Sequence, residues 1–219
     1  MHMIILGLMA VILAVAQGTA TAAVPTCTPA LFPASGQTTV FTADKKGVPG
    51  AAVPADGTVQ AGATLSYQDN GDGTITDLNT GLIWEQKLPE TDLQCTATDQ
   101  ASRDLHCANN VYAWSNLDAD TIWDWLAQVN AAGFAGHSDW RIPSIKELQT
   151  ILDYGRTKPA IDPIFVLAGD SSDLGYWSST TYGTVPSEAW VGVFTQGVVG
   201  RAVKVNPDGA VRAVRGGCL

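Results

Sequence analysis

The chain has 219 residues, of which 46% are hydrophobic and 15% are charged, and its formal net charge is −9. These proportions are ordinary for a globular protein, and the length allows one domain with a substantial core. The acidic balance argues against nucleic acid or an anionic membrane surface as a partner of the whole molecule, because both are themselves negative.

The N-terminal segment is typical of a secretory signal peptide. An apolar run covers residues 4–16, interrupted only by Gly7, and Ala20-Thr21-Ala22 follows it as a cleavage site. The run is shorter than the roughly 20 apolar residues of a transmembrane helix. No Lys or Arg precedes it, so an uncleaved anchor or an internal helix stays open as the alternative. We expect residues 1–23 to be removed and the mature chain to be secreted, periplasmic or at the cell surface, with no membrane insertion.

The remaining chain contains four cysteines, which are Cys27, Cys95, Cys107 and Cys218. An even number behind a signal peptide predicts disulfides formed in an oxidising compartment. Of the three possible connectivities, we favour a local Cys95–Cys107 loop together with a Cys27–Cys218 link between the termini. His106 precedes Cys107, but the C-x-x-C spacing of a zinc site does not occur, so we expect no zinc there.

Residues 24–64 are rich in Pro, Gly, Ala and Thr and lack helical periodicity, which indicates an extended arm with a short strand near 37–41. All seven tryptophans lie between Trp84 and Trp190. We therefore expect the packed domain at residues 65–217.

Two helices are predicted inside this domain. Ile122, Trp125, Leu126 and Val129 form one apolar stripe of a helix at 120–132, with Gly133 suited to its C-terminal cap. Ser144 and Glu147 have the spacing of a capping box, and the helix that they start is expected to end at Gly155.

Strands are predicted before and after these helices, separated by turns of Asn, Asp, Gly and Pro. They lie within 67–77 on both sides of a turn, and at 82–85, 176–180, 189–195, 198–205 and 210–215. This order predicts an α+β fold with antiparallel sheets and two helices.

The acidic turn at 69–77 is a candidate calcium site through Asp69, Asp72 and Asp77. Set against an EF-hand loop, Gln68 occupies the first ligand position and Asn79 the position of the bidentate Glu. We therefore expect a simple hairpin turn and no cofactor, with calcium as the alternative.

Enzymatic chemistry has no clear signal in the sequence. His137, Ser138 and Asp139 are adjacent, whereas the members of a catalytic triad converge from separated positions. We expect Asp139 to Pro143 to position the second helix instead, with Trp140 and Ile142 inward and Arg141 paired to a carboxylate or to carbonyls. Phosphate loops and nucleophile elbows are also missing from the sequence, so we predict a protein that is not an enzyme.

Candidate ligand-binding residues lie in the C-terminal third of the chain. Aromatic rings bind sugars and protein surfaces, and basic side chains pair with sulfate. The candidates are Tyr182, Trp190, Arg201, Lys204, Arg212 and Arg215, of which the last four would form one basic strip.

Six segments, taken in order, carry a resemblance to a known family. They are DNGDGTITD (69–77), TGLIW (80–84), GFAGHSDWRIPS (133–144) followed by Glu147, YWSST (176–180), AWVGVF (189–194) and VRAVRG (211–216). Together they resemble the Lcl C-terminal domain family, named after a Legionella collagen-like adhesin. The resemblance covers about residues 35–217.

The resemblance implies a C-type-lectin-like fold, related to that of formylglycine-generating enzymes, and adhesion to sulfated glycans as in the named member. The chain departs from that member in having no collagen-like repeat, and from the enzyme branch in having only Cys218 where a copper-binding cysteine pair would lie. We expect a secreted, non-enzymatic adhesion domain for an anionic glycan or a surface protein. The alternative is a structural subunit of a homo-oligomer or extracellular assembly, in which the arm pairs with a neighbouring chain.

Overall fold

The computed structural model describes residues 31–41, 47–48, 54–115, 120–168 and 174–217. The strands are Val40–Phe41 (β1), Gly47–Val48 (β2), Tyr67–Asp69 (β3), Thr74–Asp77 (β4), Leu82–Glu85 (β5), Val111–Tyr112 (β6), Tyr176–Thr181 (β7), Glu188–Val193 (β8), Val198–Val203 (β9), Gly209–Ala210 (β10) and Val214–Gly216 (β11). The helices are Asp56–Val59 (α1), Ile122–Ala131 (α2) and Ile145–Thr150 (α3), with 3-10 turns at Leu93–Cys95, Gln100–Ser102 and Phe134–Gly136.

Two larger sheets organise the fold. One has four antiparallel strands in the order β11-β5-β4-β3, and the other has five in the order β6-β10-β7-β8-β9. All pairs in the second sheet are antiparallel except β10 with β7. The predicted mixed fold with antiparallel sheets is therefore confirmed, with this single parallel pair added.

The hydrophobic core has two parts, one on each face of the five-stranded sheet. Neighbouring residues of β7 point to opposite faces, so Tyr176 packs with α3 and Trp84, whereas Trp177 packs with α2. Both parts are built around large side chains that are almost fully buried. The clustered tryptophans of the sequence are mostly core residues for this reason.

Helices α2 and α3 both begin at capping boxes, of which only the one at α3 was predicted from the sequence. Ser144 and Glu147 form the capping box of α3, and Thr121 and Asp124 form a second one at α2. Gly133 follows Ala132, the C-cap of α2, with a positive φ of 64°, as its predicted capping position requires. Local side-chain chemistry therefore determines where both helices begin.

The predicted end of α3 at Gly155 is wrong, because the helix ends at Thr150. After it, Asp153 N–H donates to Ala160 O and Tyr154 N–H donates to Ser35 O, at 3.0 and 2.8 Å. These tertiary hydrogen bonds replace the helical ones. The short α1 was not predicted; Gly57 within it approaches the backbone of Thr39, where a Cβ would lie 2.4 Å from the carbonyl oxygen.

The single strand predicted at 210–215 is divided between the two sheets. Ala210 pairs with Tyr176 in the five-stranded sheet, and Val214 pairs with Trp84 in the four-stranded one. Arg212 and Ala213 connect them and are fully buried. Because the segment is covered on both sides, its sequence has no alternation that would reveal the crossing.

The described part of the N-terminal arm lies against its own domain. Leu31 N–H donates to Asn79 O at 2.8 Å, and Pro33 forms a bridge with Ala63. These backbone groups are not available to a neighbouring chain, which removes the basis for the strand-addition hypothesis at this part of the arm. The predicted short strand forms at Val40–Phe41. The signal peptide, Cys27 and Cys218 lie outside the described residues.

A local disulfide joins Cys95 to Cys107 with a Cα–Cα distance of 5.5 Å, which confirms the predicted pairing. Both cysteines are buried, and Leu88 forms a bridge with Cys107 next to it. Within the part of the chain that the structure describes, no helix has the length and hydrophobicity to cross a membrane.

Replacing Cys95 and Cys107 together by alanine should lower the free energy of unfolding by about 3 kcal/mol, because the opened loop gains entropy in the unfolded chain. Urea unfolding followed by tryptophan fluorescence measures the change. The double variant leaves Cys27 and Cys218 intact, which a reductant would not. An unfolding midpoint equal to that of the parent protein would contradict a stabilising role for this disulfide.

Candidate functional site

The four basic residues predicted to form one surface strip do not converge. Arg212 is fully buried and donates hydrogen bonds to the carbonyls of Glu85, at 2.6 Å, and Val166. Arg215 pairs with Asp139 at 2.8 Å, beside the four-stranded sheet. The prediction of one basic surface strip is therefore wrong for Arg212 and Arg215, because charge alone does not show which basic side chains have partners in the fold.

Arg201 and Lys204 lie on opposite faces of the sheet at its edge strand. Val199, on the same face as Arg201, packs against the core that contains α3, whereas Ala202 packs against the core that contains α2. The Nζ of Lys204 lies on the α2 side, 3.9 Å from the ring centre of Trp114. These two cations therefore cannot hold one ligand between them.

The structure brings Tyr182, Glu188, Trp190 and Arg201 together, and we call these four residues the β8–β9 patch. Trp190 and Arg201 are directly paired across the two strands. The rings of Tyr182 and Trp190 are 5.0 Å apart and nearly perpendicular, at 87°. The guanidinium carbon of Arg201 lies 4.8 Å from the Tyr182 ring centre, and its Nη1 is 2.7 Å from Glu188 Oε2.

Strand alternation explains why the patch faces outward. Ala189 and Val191 are buried on one face of β8. Glu188 and Trp190 alternate with them along the strand and therefore point to the other face. Tyr182 is held beside them because its N–H donates to Glu188 O at 2.9 Å. Three members of the patch were predicted from the sequence, whereas Glu188 was not, although the period-2 pattern of β8 and its register with β9 place it there.

A second aromatic group lies on the opposite face, around Lys204. Trp114 and Trp123 meet edge to face at 5.0 Å, and Trp114 Nε1 donates to Ser178 O at 2.9 Å. Lys204 also donates to Thr181 Oγ1 at 2.8 Å. These contacts attach the segment before α2 to the end of β9, which is a structural role.

The three calcium candidates do not form one site. In the β3–β4 hairpin, Asp77 is paired with Tyr67 and Asp69 with Ile75, so the two carboxylates lie at different ends of the hairpin. Asp72 accepts from Thr74 within the turn, and Asp77 is buried and accepts from Thr80 Oγ1 at 2.6 Å. In the described ranges, no group of three or more His, Cys, Asp and Glu side chains could hold a metal ion.

The segment after His137 positions α3, as predicted. Trp140 and Ile142 are each 3% exposed, and Arg141 binds Glu147 through two hydrogen bonds of 2.7 and 2.5 Å. Burial opposes ionisation of Glu147, but the hydrogen bonds from Arg141 and Ser144 outweigh it and lower its pKa. Arg141 therefore links the chain before α3 to the first turn of the helix.

A cluster of Glu85, Lys87 and His106, in which the first two side chains are buried, was not predicted. Glu85 is 0% exposed, and its Oε1 lies 2.7 Å from both Lys87 Nζ and His106 Nδ1. Its Oε2 accepts the N–H of Ala213 at 2.8 Å. Burial acts most strongly on Glu85 and would raise its pKa, yet Lys87 and His106 together lower it. Burial lowers the pKa of Lys87, against the opposing effect of Glu85.

Shifted pKa values are typical of active sites, but Glu85 and Lys87 are enclosed. Lys87 Nζ packs 4.6 Å from the ring centre of Trp125, and His106 is stacked on Phe134 at 4.0 Å between ring centres.

A surface groove of about 1070 Å³ lies between the arm and α3, and Leu31, Phe32 and Tyr154 are among the residues that line it. The cluster therefore stabilises the fold, and the β8–β9 patch is the better candidate for recognition.

A family model described as the Lcl C-terminal domain matches residues 73–215, which is more than half of the chain. The chain belongs to the Lcl C-terminal domain family. No curated protein and no solved structure is matched. The matched range contains both the buried cluster and the β8–β9 patch of this Lcl C-terminal domain.

In this Lcl C-terminal domain, replacing Glu85 by Gln should lower the free energy of unfolding by about 3–5 kcal/mol, because Lys87 would keep a buried charge without its partner. Adding Lys87→Met should restore part of the loss, since an apolar chain of similar length packs on Trp125. A double-mutant cycle from denaturant unfolding measures the coupling. Strictly additive losses would contradict the assignment of a buried ion pair.

The lowered pKa of Glu85 also predicts a dependence on pH. A carboxylate whose pKa falls on folding stabilises the protein above its ordinary pKa of 4.5, and that contribution is lost as the pH falls. The parent protein should therefore lose more stability between pH 7 and 3 than the variant with both Glu85→Gln and Lys87→Met. Parallel curves of unfolding free energy against pH for the two proteins would show that Glu85 makes no such contribution.

Proposed function

We propose that this Lcl C-terminal domain is a secreted, non-enzymatic adhesion domain with a C-type-lectin-like fold, and that the β8–β9 patch binds its ligand. The observation that carries the proposal is a group on one face of a sheet in which Arg201 is exposed and Tyr182, Trp190 and Glu188 beside it are partly buried. Tyr, Trp and Arg are the residues that most often dominate recognition surfaces.

The position of the patch on paired strands supports this role. Trp190 and Arg201 are fixed opposite each other by the β8–β9 register, and Tyr182 is held by its backbone hydrogen bond to Glu188. Side chains that are already ordered lose little conformational freedom when a ligand binds. The patch is therefore arranged for binding before a ligand arrives.

A saccharide is the ligand class that best suits these residues. Sugar rings offer a C–H face for an aromatic side chain and hydroxyl groups for an ion pair beside it. The anionic glycan expected from the sequence required several converging cations, and Arg201 is the only one of the four that belongs to the patch. Calcium is not part of the proposal.

Secretion and the absence of enzymatic activity complete the proposal. The signal-peptide pattern and the Cys95–Cys107 disulfide both suit an oxidising compartment. The buried ion pair of Glu85 and Lys87 is enclosed beside Trp125 and does not suit substrate access.

Replacing Tyr182 by Ala should weaken binding to immobilised glycans by about fivefold or more, because truncating a central aromatic residue costs more than about 1 kcal/mol. A glycan array followed by titration of the bound glycans measures the change. Tyr154→Ala is the matched control, since Tyr154 is an exposed tyrosine in the groove between the arm and α3, which no residue of the patch lines, and it should leave binding unchanged. Equal affinities of the two variants for the bound glycan would argue against the β8–β9 patch.

A further inference from the structure

We infer that the β8–β9 patch selects uncharged saccharides with neighbouring hydroxyl groups and discriminates against sulfated ones. This inference rests on the proposed function, since it assigns a ligand class to the same patch. It is opposite to the expectation that followed from the basic residues of the sequence.

The charge balance of the patch supports selection of a neutral ligand. The positive charge of Arg201 is compensated by Glu188, whose carboxylate oxygen is 2.7 Å from Arg201 Nη1. The sequence from residue 159 to residue 200, which includes β7 and β8, contains no Lys or Arg. A sulfate group at Arg201 would have to displace Glu188 or lie beside its carboxylate. The net charge of −9 on the whole chain adds to that repulsion.

The geometry of the ion pair also suits hydroxyl groups. A guanidinium has five N–H donors, and among the described residues Arg201 uses one nitrogen, Nη1, on one oxygen of Glu188. The side chains of Arg201 and Glu188 are 50% and 20% exposed. Donors and an acceptor therefore stand side by side at the surface. Two neighbouring sugar hydroxyls can each donate and accept, so they match this pair, whereas a sulfate can only accept.

The two rings supply the apolar part of the site. Tyr182 and Trp190 meet edge to face next to the ion pair, at a ring separation of 5.0 Å. The C–H face of a sugar can contact the accessible part of these rings while its hydroxyls reach Arg201 and Glu188. Such contacts depend little on ionic strength, in contrast to a salt bridge with sulfate at an exposed site.

Titration of the full mature chain with dextran, dextran sulfate and a panel of neutral oligosaccharides, followed by tryptophan fluorescence, tests the inference. At least one neutral saccharide should bind, and its affinity should change less than about twofold between low and high salt. Dextran sulfate should bind at least about tenfold more weakly than that neutral saccharide. Preferential, steeply salt-dependent binding of dextran sulfate would overturn the inference and leave glycan binding in place.

The variant Glu188→Gln provides the sharper test, because it keeps the side-chain shape and releases Arg201 from its counter-ion. Binding of the neutral saccharide should fall about tenfold, and salt-sensitive binding of dextran sulfate should appear. Glu90→Gln is the matched control and should change neither property. Unchanged selectivity of Glu188→Gln would overturn the inference.

Thermal unfolding of Glu188→Gln shows whether the variant is folded. Should it unfold, Arg201→Gln replaces it, and that variant should lose the neutral saccharide without gaining dextran sulfate. Retention of neutral binding by a folded Arg201→Gln would overturn the inference. Failure of every saccharide to bind the parent protein would instead overturn the proposed function, so the two failures are distinguishable.

Discussion

The buried pairing of Arg212 with the Glu85 backbone holds the two sheets of this domain together. Arg212 lies where the chain crosses from β10 to β11, and it donates to the carbonyls of Glu85 and Val166. In return, the Glu85 carboxylate accepts the N–H of Ala213. A buried guanidinium or carboxylate without such partners would be strongly unfavourable, so each of these charges requires the other segment to be in place.

This crossing also separates the two parts of the core. Ala210 and Val214 pack with α3, whereas Val211 and Ala213 pack with α2. The position of β10 beside β7 therefore fixes both faces of the five-stranded sheet. Strands β8 and β9 extend from β7 toward the edge of that sheet, and the β8–β9 patch lies on them. The proposed binding surface is thus built on strands whose placement depends on charges buried at the centre.

Features that depend on neighbouring residues in sequence were predicted well. The capping box of Ser144 with Glu147, the hairpin turn after Asp69 and the Cys95–Cys107 disulfide all follow from local spacing. Features that depend on the crossing of the chain were not predictable in this way. From the sequence alone Arg212 is expected at the surface, because no neighbouring residue in the sequence indicates that the carbonyls of Glu85 and Val166 surround it.

The same distinction explains the outcome for the candidate site. Tyr182 and Trp190 were recognised by residue type, but the partner of Arg201 becomes visible only when β8 and β9 are placed in register, which brings Glu188 beside it. A basic residue in a sequence suggests an anion as its ligand, whereas a basic residue already paired in the fold presents hydrogen-bond donors with little net charge. From the pairing of Arg201 we therefore expect a polar ligand in place of a charged one, and the position of Arg201 across from Trp190 would give that ligand an apolar surface at the same time.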